Sequence, residues 1–92
     1  MARLTEKEIE RISSAVAEPR RFKILKDLAG HPGAMSCSAI IDKQGVSAAT
    51  ISHHLKELET AGLIEIAREG KFGLVSLRRA VWSAYVARLG EL

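Results

Sequence analysis

The spacing of the apolar residues changes at Gly62, and this change limits the possible fold more than any other feature. Before Gly62, apolar side chains recur three or four residues apart, as at Ile51, Leu55 and Leu58. That spacing is typical of one buried face of a helix. After Gly62, the side chains of residues 64–68 alternate between two faces, as in a β-strand. The sequence therefore predicts a helix that ends at this glycine and a strand that follows it.

A second apolar run follows the first strand after a short interval. Residues 64–68 and 74–77 are separated by a segment that contains Gly70 and Gly73. Because glycine accepts the backbone angles of tight turns, we expect the segment 64–77 to form a β-hairpin.

Helix-start signals and helical spacing predict five helices. Thr5 followed by Glu8 has the spacing of a capping box, and Pro19 suits the first turn of a helix. Ser38 and Ser47 are predicted to be the N-caps of two later helices. The predicted helices are 6–17, one that starts at Pro19 and ends before Gly30, 38–44, 47–61 and 79–90.

The predicted element order is α-α-α-α-β-β-α, which is a mainly α fold with a small β-hairpin. The length of 92 residues suits one domain. Two short helices joined by the turn 44–46 and followed by a hairpin form a winged helix-turn-helix. We therefore expect a single winged helix-turn-helix domain over 1–92, with the helix-turn-helix at 38–61 and the wing at 64–77.

Composition excludes several classes of protein. Apolar residues are 47% and charged residues 27% of the chain, an ordinary globular mixture. The net charge of +3 permits an anionic partner without requiring one. Cys37 is the only cysteine, so no intrachain disulfide forms and a reducing compartment is expected. The charged N-terminus and the lack of a long apolar run predict a cytoplasmic protein with no membrane association.

The helix over 47–61 is the predicted recognition helix, whose N-terminal residues would lie in the major groove of DNA. Close approach requires small or short polar side chains on the exposed face, and hydroxyl and methyl groups contact base edges. Lys56 is placed for the DNA backbone. Arg68 and Lys71 flank the wing turn, where they would reach the minor groove or its phosphates. The predicted DNA-binding residues are Ser47, Ala48, Ala49, Thr50, Ser52, His53, Lys56, Arg68 and Lys71.

A structural explanation exists for each of these residues taken singly. Ser47 caps a helix with or without DNA, alanines suit any helix, and a polar face can simply be solvated. The combination of tight turn, small polar face and basic hairpin favours DNA binding.

An alternative of another class is a winged-helix protein-interaction module, which would more often expose large apolar anchors. The sequence contains no glycine-rich phosphate loop, no nucleophile motif and no pair of acids in an obvious pocket, so we do not expect an enzyme.

At these residues the chain resembles the ArsR family of bacterial winged-helix repressors. The resemblance runs through 17–25 (AEPRRFKIL), 46–58 (VSAATISHHLKEL), 61–64 (AGLI) and 68–71 (REGK). It implies a homodimer that binds a partly palindromic operator, with base contacts at Ala48, Ala49, Ser52 and His53. Relatives often have glutamine where this chain has Ala48. His54 occupies a position that usually faces inward.

The resemblance also implies that the helices 6–17 and 79–90 form the dimer interface. Their apolar stripes would belong partly to the core and partly to that interface. The predicted interface residues are Ile9, Ile12, Val16, Trp82, Tyr85 and Leu89.

Many ArsR-type relatives release DNA when a metal binds, but the known metal positions are not matched here. Ser36 and Ser38 stand where one family site has a Cys-x-Cys pair, and residues 78–92 contain neither His nor Asp. We therefore predict no metal site of the kinds known in this family and no cofactor. The sequence does not identify an inducer. Cys37 is interpreted as a small buried apolar residue. The alternative is a metal-responsive or redox-responsive repressor that senses through Cys37.

Overall fold

The computed structural model describes residues 3–69 and 72–92 and contains the predicted elements in the predicted order. One short strand precedes the third helix, and sequence reasoning missed it. The elements are α1 Glu6–Val16, α2 Pro19–Ala29, β1 Met35–Ser36, α3 Cys37–Gln44, α4 Ala48–Thr60, β2 Ile64–Glu69, β3 Phe72–Leu77 and α5 Arg79–Gly90. The predicted winged helix-turn-helix fold is confirmed.

The first helix starts at the predicted capping box. The backbone N–H of Glu8 donates to Thr5 Oγ1 at 3.1 Å, and the backbone N–H of Thr5 donates to Glu8 Oε1 at 2.8 Å. This hydrogen bond from the Thr5 backbone is the main reason that the pKa of Glu8 is lowered. Pro19 starts α2, and Glu18 caps it by accepting from the backbone N–H of Arg21 at 2.9 Å.

The third helix starts earlier than predicted, because Ser36 and not Ser38 is its N-cap. Ser36 is the last residue of β1 and has extended backbone angles, and its Oγ accepts from the backbone N–H of Ala39 at 3.1 Å. Ser38 is an exposed residue within the first turn. The prediction of Ser38 as the cap was wrong because the two serines are equally good caps in isolation. The extended conformation imposed by β1 selects Ser36.

The predicted hairpin is part of a three-stranded antiparallel sheet with the order β1-β3-β2. In it Met35 pairs with Val75, and Ile66 pairs with Val75 from the other side. Gly73 is not a turn residue as predicted, because it lies in β3 opposite Arg68. A Cβ atom at Gly73 would lie 2.9 Å from Cys37 Sγ, so the close approach of α3 explains this glycine.

Two glycines set the directions of the chain around α4. Gly45 ends α3 with φ of 66° and Gly62 follows α4 with φ of 84°, and both angles favour glycine. The resulting turns bring α3, α4 and the sheet around one aliphatic core, to which α1 and α2 also contribute. The side chains that are almost completely buried are Ile12, Ile24, Leu28, Ile40, Ile51, Leu58, Leu63, Ile64 and Val75.

The last helix is held to the start of the chain by polar contacts. Ser13 Oγ and Tyr85 OH are 2.9 Å apart, and Arg88 donates to the backbone carbonyl of Leu4 at 2.6 Å. Arg3 forms an exposed ion pair with Glu91 at 2.6 Å. These contacts place α5 beside α1 within one chain.

Candidate nucleic-acid interface

One face of helix α4 packs against the core, and the opposite face is exposed to solvent. Ile51, Leu55 and Leu58 are buried against the core, so this stripe fixes the rotation of the helix about its axis. The opposite face contains only small or polar side chains near its N-terminal end. The exposed residues there are Ser47, Ala48, Ala49, Thr50, Ser52, His53 and Lys56. A DNA duplex can therefore approach the start of the helix closely.

The hydroxyl groups at the start of α4 have a structural task. Ser47 Oγ accepts from the backbone N–H of Thr50 at 3.2 Å and lies 2.8 Å from Thr50 Oγ1. Ser47 is thus the predicted N-cap, and Thr50 is tied to it. Ser52 and His53, further along the helix, are exposed polar side chains without a role in the cap.

A polar network that the sequence did not predict fixes the turn before α4. Arg20 on α2 donates to the backbone carbonyl of Gln44 at 3.1 Å and to its Oε1 at 3.0 Å. Gln44 in turn donates to Asp27 Oδ2 at 2.7 Å. The network joins α2 to the last residue of α3, so it sets where α4 begins. Its members are 17 and 24 residues apart, and no local pattern relates them.

Two neighbouring histidines on α4 lie in opposite environments. His53 is exposed, whereas the His54 side chain is only 13% exposed, with Nδ1 3.9 Å from Glu18 Oε2. Within the described part of the chain, that nitrogen has no hydrogen-bond partner. Burial lowers the pKa of His54, and the charge of Arg21 lowers it further, although Glu18 acts in the opposite direction. His54 is therefore neutral near pH 7 and packs behind the exposed face.

The wing supplies one described cation. Arg68 is exposed, and its guanidinium lies 3.4 Å from the Glu59 carboxylate on the last turn of α4. Such exposed pairs contribute about 0–1 kcal/mol, so the pair with Glu59 holds Arg68 only weakly. Lys71, also predicted to bind DNA, lies outside the described residues.

The predicted interface residues on the terminal helices differ in exposure. Ile12 is 1% and Tyr85 5% exposed in the single chain, so they offer a partner almost no surface. Ile9, Val16 and Trp82 are half-buried, and Leu89 is 44% exposed. Val86, which sequence reasoning omitted, is exposed on the same side of α5 as Trp82 and Leu89.

Cys37 is half-buried and packs against the core and the sheet. Across residues 3–69 and 72–92, no three His, Cys, Asp or Glu side chains are grouped so that they could hold a metal ion. No helix in the same ranges is both long and apolar enough to cross a membrane.

Similarity to known proteins agrees with this architecture. Residues 16–67 match the family model described as a helix-turn-helix domain. The chain is 37% identical over 70 residues to the transcriptional repressor SdpR of Bacillus subtilis, covering 76% of each protein. It is 43% identical over 59 residues to the HTH-type transcriptional regulator MJ1325 of Methanocaldococcus jannaschii, covering 64% of this chain and 65% of that relative.

A solved structure extends the similarity to nearly the whole chain. It is the homodimeric winged helix-turn-helix DNA-binding domain of Mb0332 from Mycobacterium bovis, described as a possible ArsR-family transcriptional regulator. The two structures align with a TM-score of 0.75 and 27% identity, over 97% of this chain and 87% of that one.

The fold, the anchored helix and its open face define a winged helix-turn-helix DNA-binding protein. The chain belongs to the ArsR-type family of helix-turn-helix transcriptional regulators.

Proposed function

We propose that this protein is a homodimeric, cytoplasmic repressor that binds a partly palindromic operator and acts by binding rather than by catalysis. The observation that carries the proposal is the exposed face of small residues on α4, held outward by buried Ile51, Leu55 and Leu58. The relative SdpR is named a repressor and the Mb0332 domain is homodimeric. Both properties are consistent with the proposal.

Two groups of residues divide the contacts with DNA. Ala48, Ala49, Ser52 and His53 contact base edges, and methyl groups meet thymine methyls. Because two of these four are alanines, direct hydrogen bonds are few and DNA shape supplies part of the specificity. The residues assigned to phosphates are Ser47, Thr50, Lys56, Arg68 and Lys71.

The dimer is proposed to form through the exposed apolar face of α5, with Trp82 and Leu89 as contacts and Val86 between them. A partner that covers these side chains removes apolar surface from water. Ile9 and Val16 extend the interface along α1, and Ile12 and Tyr85 support it from within the core.

The proposal is tested by selecting duplexes from a random pool with the purified protein and measuring affinity for the selected and scrambled sequences. Specific binding by proteins of this kind exceeds non-specific binding by a factor of about 10³–10⁷. We expect a two-fold symmetric site with half-sites about one DNA turn, about 34 Å, apart. Equal affinity for selected and scrambled duplexes would overturn the proposal and favour a protein-interaction module.

A further inference from the structure

A second basic surface lies beside the turn that precedes α4. It is a shallow depression between α2 and the end of α3, which we call the α2–α3 basic patch. Its lining residues are Arg20, Lys23, Lys26, Asp27, Lys43 and Gln44. Four cations thus surround one carboxylate, and none of the four belongs to the recognition helix or the wing.

The polar partners in the patch show which charges remain available. Asp27 accepts a hydrogen bond from Gln44 at 2.7 Å and lies 3.9 Å from Lys43 Nζ. The Asp27 carboxylate therefore pairs with Lys43 and Gln44 and not with the other two lysines. Lys23 and Lys26 are exposed. Among the residues that the structure describes, neither lysine has an acidic oxygen within 4.0 Å. The patch therefore keeps a net positive charge that faces solvent.

The patch adjoins the end of α4 that would enter the groove. Lys43 and Gln44 close α3, Gly45 reverses the chain, and Ser47 caps α4. The major groove is about 12 Å wide, so a helix inserted there has phosphates about 6 Å away on either side. Arg68, in contrast, pairs with Glu59 on the last turn of α4. The patch and the wing cation therefore flank opposite ends of the helix.

We propose that the α2–α3 basic patch binds DNA phosphates on the side of the half-site opposite to the wing, through Lys23, Lys26 and Lys43. This inference rests on the proposed function, because it requires α4 to lie in the major groove. Arg20 is a positioning residue, since its guanidinium is committed to Gln44. Contacts of this kind fix the orientation of the protein on DNA and carry no sequence information.

The test is the salt dependence of operator binding by the double variant Lys23→Gln/Lys26→Gln, which removes no ion pair of the described chain. Each bound phosphate contributes about 0.9 to the slope of log K against log salt. We expect the slope to fall by about 0.9 for each phosphate that the variant no longer binds, with affinity for operator and scrambled duplex reduced by the same factor. Lys7→Gln, at an exposed position of α1, changes one charge outside the patch and serves as the control, with its slope unchanged.

Lys43→Gln is measured separately, because it also removes the ion pair with Asp27. A slope reduced in this variant, with an unchanged melting temperature, assigns Lys43 to the phosphates as well. If the double variant and Lys43→Gln both keep the wild-type slope while the wild type still prefers its operator, the patch does not contact DNA and the proposal is wrong. A wild type without sequence preference would instead overturn the proposed function itself.

Discussion

At the scale of single residues, Ser52 and His53 are the exposed polar groups on the second turn of α4. The hydroxyls of Ser47 and Thr50 lie in the cap, so they have less freedom to turn toward a base. If Ser52 and His53 read base edges, their removal should affect specific binding far more than non-specific binding.

We predict that Ser52→Ala and His53→Ala each weaken operator binding by about 1 kcal/mol, toward the lower end of the range of about 1–3 kcal/mol for a good bidentate pairing with a base edge, because each side chain makes a single hydrogen bond. Binding to a scrambled duplex should change little. Fluorescence anisotropy titrations with both duplexes measure the two affinities. His31→Ala, in the loop after α2, is the control for removal of a histidine. If operator affinity stays at the wild-type value in both α4 variants, the reading face has been assigned to the wrong residues.

The histidine next to His53 gives a prediction about pH. Burial lowers the pKa of His54 below the ordinary histidine value of 6.5, so the unfolded chain binds more protons than the folded chain once pH falls below that value. The free energy of unfolding is therefore highest above about pH 6.5 and decreases as pH falls toward the lowered folded-state pKa. Protonation of Glu8 and Glu18, whose pKa values are lowered from 4.5, removes stability only at lower pH.

Urea unfolding at several pH values between about 5 and 8 tests this prediction, because carboxylates contribute little to the change in that range. His54→Gln should flatten the pH dependence, whereas His31→Gln, which removes a loop histidine, should not. An equally steep dependence in His54→Gln and the wild type would mean that another group is responsible.

At the scale of secondary-structure elements, the start of α3 depends on the strand before it as well as on its own sequence. The sequence offers Ser36 and Ser38 as N-caps, and the structure uses Ser36. Ser36→Ala should cost about 1 kcal/mol of stability, because the backbone N–H of Ala39 loses its cap. Ser38→Ala should change stability by less than about 0.5 kcal/mol, since it is an exposed position away from any cap. Thermal unfolding of the two variants side by side measures the difference. The reverse order would show that α3 starts at Ser38 in solution.

The helices and the hairpin were predictable because each repeats a period over several turns or residues. Strand β1 has only two residues and cannot show a period, so its pairing with β3 became visible only in the structure. A contact between distant parts of the chain also explains why Gly73 was not predicted to lie in a strand. Its neighbour Cys37 is distant in sequence, and a glycine between two predicted strands has the pattern of a turn residue.

The candidate site divides in the same way. The exposed face of α4 followed from the spacing of Ile51, Leu55 and Leu58. The pair between Arg68 and Glu59 and the link from Arg20 to Gln44 did not follow, because they join separate elements. Contacts between elements depend on how those elements pack, which no single segment specifies.

At the scale of the whole molecule, the terminal helices complete the core and, in the proposed dimer, also contact the partner. Ile12 and Tyr85 serve the core, since the single chain already buries them. Trp82, Val86 and Leu89 are four and three residues apart and so lie along one edge of α5. The dimer interface is therefore expected on the edge of the apolar stripe and not at its centre.

We predict that Leu89→Asp converts the dimer to a monomer, because it places a charge on the apolar face that the partner would bury. Sedimentation equilibrium measures the dimer dissociation constant, and Ala87→Asp is the matched control, since Ala87 is exposed and lies on another side of α5. Loss of the dimer should reduce affinity for the two-half-site operator, because joined subunits bind the second half-site at high effective concentration. Affinity for an isolated half-site should be the same in Leu89→Asp and Ala87→Asp, since the charge lies away from α4. A Leu89→Asp protein that stays dimeric would place the interface elsewhere, and one that also loses half-site binding would indicate a damaged fold instead.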